Sequence, residues 1–160
     1  MRIRYYQRWL TFVAAGLCYA WFGASPAHAG ISCTVSSAGL AFGVYNVLAA
    51  SPTDATGTVT VTCSGDAQAP TARILHLSSG GSGNAAARRM ASGANLLNYQ
   101  IYTSAARTTF WGDGSNGSGA VTVMVGIPGS GSAILYGRIP ALQSKPPGAF
   151  LDTIIVTVNF

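Results

Sequence analysis

"LDTIIVTVNF", residues 151–160, alternates as an extended strand does. Ile154, Val156, Val158 and Phe160 fall on one face, and Thr153, Ile155, Thr157 and Asn159 on the other. An apolar strand with a free edge is an aggregation hazard unless charge, proline or a covering segment blunts it. Asp152 is the only charge close by, and no covering segment follows in the sequence. Two arrangements satisfy such a strand. It docks between two strands of its own chain, or something supplied in trans covers its edge.

Upstream, the texture is β throughout. "TGTVTVTC", residues 56–63, puts Val59, Val61 and Cys63 on one face and Thr58, Thr60 and Thr62 on the other. "ARILHLS" places Leu75 and Leu77 opposite Ile74 and His76, and "LNYQIYT", "AVTVMVGI" and "SAILYGRIPA" read as further strands. "SSGGSGN", "WGDGSNGSG" and the "GSGS" around Ser130 and Ser132 read as turns or loops, because glycine supplies the positive φ that tight turns need. "KPPG" breaks regularity ahead of the last strand. The best helical candidate, "NAAARRMASGANLL", contains Gly93 and is short, so a turn or two is its limit. The expectation is a single all-β domain.

Residues 1–29 have the three-part pattern of a secretory signal peptide: Arg2, Arg4 and Arg8, an apolar run from Leu10 to Phe22, then Ala27-His28-Ala29. The apolar run is short against the roughly 20 residues of a membrane span. Leu17 before Cys18 argues against a lipoprotein signal. Cleavage after Ala29 takes 29 of the 160 residues and leaves 131, residues 30–160, as the domain. Six basic residues then remain (Arg73, Arg88, Arg89, Arg107, Arg138 and Lys145) against four aspartates, so the net charge falls from +5 to +2. Six scattered cations do not make the dense basic face that nucleic acid requires. Two cysteines stay, Cys33 and Cys63. In an exported chain they are expected to pair, closing a loop worth about 3–4 kcal/mol. A metal site would need more ligands than these two thiols and the distant His76.

Catalysis finds little support. The domain has one histidine, four aspartates, no glutamate and one lysine. His76 lies mid-strand, and no serine stands in a G-x-S-x-G elbow. "WGDGSNGSG" has a single acid where a calcium loop needs several, and "SSGGSG" lacks the Lys-Ser/Thr of a phosphate loop. No catalytic, cofactor-binding or metal-ligating residue is assigned. Phe110 and Trp111 are the only aromatic candidates for a sticky loop tip, and packing at a strand end explains them better.

"FGVYN", "GTVTVTC", "LSSGGSG", "RRM", "LNYQIYT", "WGDG" and "YGRIPALQSKPPGAFLDTIIVTVNF" occur in an order that resembles the spore coat protein U domain, a family that includes pilin subunits of archaic chaperone–usher pili. The resemblance runs from Cys33 to Phe160. It implies an incomplete immunoglobulin-like sandwich lacking its final strand, with Ile154, Val156, Val158 and Phe160 lining an acceptor groove. It also implies partners: a periplasmic chaperone that lends a strand and anchors near Phe160, an outer-membrane usher, and further subunits whose N-terminal extensions replace the chaperone strand. Donating subunits of such pili carry roughly a dozen residues before the first cysteine, and filling a groove at about 3.3 Å per residue needs that length. Here Gly30, Ile31 and Ser32 alone would follow the expected cleavage, so an acceptor-only tip or capping subunit is expected. The competing expectation is a free-standing secreted binding module with a complete sandwich.

Overall fold

The computed structural model describes residues 30–159. The expected signal peptide and the groove position Phe160 lie outside the described residues. Among the described residues seven strands form: β1 (Ser32–Ala38), β2 (Thr53–Leu77), β3 (Arg89–Ser92), β4 (Asn95–Asn98), β5 (Gln100–Tyr102), β6 (Val121–Ile139) and β7 (Val156–Asn159). Short 3₁₀ turns lie at Gly80–Ser82 and Ala85–Ala87. The result is an all-β, immunoglobulin-like sandwich, open along one side.

β2 and β6 build it. They pair antiparallel from Thr53↔Ile139 to Leu75↔Val121, with register shifts between Cys63 and Thr71. Those shifts mark a shared bend, so one pair of strands serves both layers. β1 joins β2 ahead of the bend through Thr58–Ser64, and β7 joins it beyond the bend through Ile74–Leu77. β5 pairs with β6 on the far side, and β3 and β4 make a separate hairpin. Val59, Val61, Leu75 and Leu77 from β2 and Val123, Val125, Leu135 and Ile139 from β6 meet in one core. Their alternation with Thr58, Thr60, Ile74 and His76 is the one read from the sequence.

One reading needs correction. "GSGS" is not a turn: Gly129, Ser130, Gly131 and Ser132 pair with Cys63, Thr62, Val61 and Thr60 inside β6. Glycine is needed there because the strand doubles sharply. A Cβ on Gly131 would sit 2.8 Å from the Met124 carbonyl oxygen, closer than side chains come to backbone. "NAAARRMASGANLL" keeps within its limit of a turn or two: it yields a single 3₁₀ turn and then the β3–β4 hairpin, which reverses at Gly93 with φ +59°. Strand pairing there overrides the helical propensity of its alanines.

The register is pinned at one end by Arg138, whose Nε and Nη2 donate to Asp54 Oδ1 and Oδ2 at 2.7 and 2.8 Å across the β2–β6 pair. A disulfide joins Cys33 to Cys63, which are direct register partners of β1 and β2. Replacing either cysteine with serine is expected to lower stability by about 3 kcal/mol, read as a drop in denaturant midpoint and matched by adding reductant to the unsubstituted protein. An unchanged midpoint in both experiments means that the bond does not constrain the chain.

Candidate functional site: an open seam between edge strands

β1 and β7 both attach to the edge of β2 that faces away from β6, on opposite sides of the bend. Among the described residues neither has a strand on its outer edge. The inner faces along this seam are under-covered. Val35 stands opposite Val61 in the register; Val61 is fully buried, yet Val35 is 43% exposed. On the other wall Ile154, Val156 and Val158 are half-buried against the core, while Ile155 points outward at 65% exposure. Among the described residues, no side chain covers these faces as completely as the rest of the core is covered.

The seam opens into a cleft of about 240 Å³. Ser37, Leu40 and Phe42, from the end of β1 and the chain after it, form one wall, and Ile154 and Val156 help form the other. Leu77, Ile101 and Leu135 lie beneath. Gly137 allows the first wall to close in, since a Cβ there would fall 2.7 Å from Phe42 Cζ and 2.9 Å from Leu40 Cδ1. Of the four residues expected on a groove face, Ile154 and Val156 line this cleft. Val158 packs on the same core farther along β7, opposite Leu75.

The β7 wall is held by polar contacts as well as by its ladder. Ser78 N–H donates to Ile155 O at 2.9 Å, and Ile155 N–H donates to Ser78 Oγ at 2.9 Å. A side-chain hydroxyl thus extends the β2–β7 pairing by one step. Ser78 is itself fixed by Arg88, which is 0% exposed. Arg88 Nε and Nη2 donate to Ser78 O at 3.2 and 2.6 Å, and Nη2 also reaches Trp111 O at 2.7 Å. Burial pulls this guanidinium below the usual arginine range, while the Tyr99 hydroxyl and the Asp152 carboxylate nearby act the other way.

Asp152 forms the second polar point. Its Oδ1 accepts from the backbone N–H of Gly81 and of Thr153, both at 2.9 Å, and its Oδ2 accepts from the Tyr99 hydroxyl at 2.7 Å. The carboxylate presses so close to Gly80 that a Cβ there would lie 2.2 Å from Oδ2, and Gly80 also holds a φ of +65°. Burial foremost, then the hydrogen bond and charge of Asp152, push the Tyr99 phenol well above the ordinary tyrosine value.

Sequence reasoning missed both points. It treated Asp152 as an edge charge and gave Arg88 no role. The available signal was chemical: an arginine in a chain with so few acids has to find other acceptors. Trp111 is fully buried, with Nε1 donating to Leu75 O at 2.9 Å, and Phe110 packs against Tyr102. His76 faces away from the core beside Asn159.

A sequence model of the Spore Coat Protein U domain matches residues 19–157, and the chain belongs to that family. It is 29% identical over 147 residues to Protein U of Myxococcus xanthus, covering 84% of this chain and 80% of that protein. Among solved structures it is similar to a chain of the CsuC–CsuE chaperone–tip adhesion subunit pre-assembly complex from the archaic chaperone–usher Csu pili of Acinetobacter baumannii. The TM-score is 0.55 at 20% identity, over 81% of this chain and 40% of that one. That likeness is one of fold. The chain spans well under half the length of this structural relative.

Tyr99→Phe removes a hydrogen bond to a carboxylate and is expected to cost about 1.5–3 kcal/mol. The pH dependence has a definite sign. The folded phenol ionises later than the unfolded one, so its contribution is complete below pH about 10 and is lost as pH rises beyond that. Denaturant midpoints measured from neutral pH upward should fall above pH about 10, and less steeply in Tyr99→Phe. Parallel curves for the two proteins contradict the assignment.

Proposed function

We propose that this chain is a structural subunit of a cell-surface pilus or a spore-coat-like layer, exported through its N-terminal leader and assembled by donor-strand complementation on the chaperone–usher pathway. The observation that supports it most is the seam, where inward-facing side chains of β1 and β7 stay partly exposed and, among the described residues, both strands offer unpaired backbone edges. An inserted strand satisfies both at once, through ladder hydrogen bonds along the edges and alternate side chains into the cleft. The groove face consists of Ile154, Val156, Val158 and Phe160, and the donor comes first from a periplasmic chaperone and then, at an outer-membrane usher, from another subunit. Family membership and the likeness to a chaperone–subunit complex support this class over an isolated secreted module. The role is one of assembly and not of turnover.

The subunit accepts a strand without passing one on. β1 begins at Ser32, so cleavage after Ala29 leaves Gly30 and Ile31 ahead of it, too little to span a groove. N-terminal sequencing of the exported protein is expected to start at Gly30. A start near Trp9 or Phe12 supplies a usable extension and removes the acceptor-only role.

Val156→Asp and Val158→Asp place a carboxylate on the groove face. Each is expected to cut recovery of chaperone-bound subunit about tenfold or more, because a buried unpaired charge is strongly disfavoured. Ile155→Asp, on the outward face, should leave recovery near the unsubstituted level. Equal recovery of all three argues against the groove.

A further inference from the structure

Most side chains lining the cleft are apolar; Ser37, Tyr99 and Asp152 are the polar ones, and Asp152 lies on the same row as the apolar β7 wall. From Asp152 to Asn159 burial alternates strictly, so Asp152, Ile154, Val156 and Val158 share a face. Asp152 and Tyr99 both line the cleft with Leu40, Phe42 and Ile101. A strand running along this wall therefore meets aliphatic side chains and then, at the end of the row, a carboxylate.

That carboxylate is incompletely satisfied. An ionised carboxylate offers about four acceptor positions. Gly81 and Thr153 fill two on Oδ1, and Tyr99 fills one on Oδ2. Among the described residues no fourth donor reaches it. An aliphatic group pressed over the carboxylate would strip water from the remaining position and leave it unpaired, which is costly. A cation is also a poor match, because the Arg88 guanidinium already interacts electrostatically with Asp152, and a second positive charge would be repelled by it. A small neutral donor fits. Threonine combines a hydroxyl with the β-branching that suits an extended strand, and serine supplies the same hydroxyl.

We infer that the strand filling this groove carries threonine or serine at the inward position over Asp152, with branched aliphatic residues at the inward positions over Ile154 and Val156. Asp152 is thus a specificity-determining residue that fixes both the register of the incoming strand and which strands are accepted. This rests on the donor-strand reading of the seam.

The experiment uses the subunit co-purified with its chaperone and labelled synthetic peptides of about ten residues. All inward positions are valine in the parent peptide, and threonine or lysine replaces valine at each inward position in turn. Capture of peptide with release of chaperone is followed by fluorescence anisotropy. Threonine at a single position, toward one end of the peptide, is expected to strengthen capture about tenfold over valine, with lysine there giving no gain. In Asp152→Asn that preference should shrink several-fold, because the hydroxyl then meets a neutral amide in place of a carboxylate, and an undiminished preference overturns the role of Asp152. If valine equals threonine at every position, or lysine surpasses threonine, the hydroxyl inference is overturned and the groove stands. If no peptide is captured, the groove reading falls and this inference falls with it.

Discussion

The ladder between β2 and β6 is the constraint on which the rest of the molecule depends. Because the two strands bend together, a single pairing supplies adjacent strands to both layers and sets where each layer ends. β6 occupies one edge of β2 throughout, so β1 and β7 must share the other edge, one before the bend and one after it. The seam between them follows from that arrangement and is not a local defect. A one-residue slip in the ladder would turn Val59, Val61, Leu75 and Leu77 outward, and the paired hydrogen bonds of Arg138 to Asp54 oppose such a slip.

Around the seam, polar groups do what an additional strand would otherwise do. Arg88 brings a full positive charge into the interior with carbonyl oxygens as its partners, an arrangement that burial disfavours. It gathers the Ser78 and Trp111 carbonyls, which lie where β2 ends and the chain leaves the sheet. With Ser78 so fixed, its hydroxyl and N–H hold Ile155 at the start of β7. Asp152 ties the approach to β7 to the Gly80–Ser82 turn and to Tyr99. The two centres lie close enough to interact, and together they let the edge strand keep its place with one side bare.

Much of this was legible in the sequence, because period-2 alternation is local. The faces of residues 58–63 and 74–77 and the alternation from Thr153 to Asn159 follow from neighbouring residues, and the partnership of Cys33 with Cys63 follows from there being two cysteines in residues 30–160. What was not legible depends on distant pairing. Gly129–Ser132 has the composition of a turn, and only its register against Thr60–Cys63 makes it strand. Arg89–Asn98 falls largely within the weak helical candidate of residues 84–97, and only the reversal at Gly93 with the bridge from Ala91 to Leu151 makes it a hairpin. Arg88 and Asp152 carry no local mark at all. Their roles arise from carbonyl and amide groups brought to them by the fold.

The two walls of the cleft are attached by different means, and that has a mechanical consequence. β1 is held by seven register pairs and a covalent bond at Cys33–Cys63. β7 is held by four register pairs and the contacts of Ser78, all of which can open and re-form. A pull across the cleft therefore loads a stiff jaw on one side and a compliant one on the other. Deformation concentrates in β7 and the chain leading into it, while β1 keeps its shape and remains a fixed reference against which β7 can close again when the load is released.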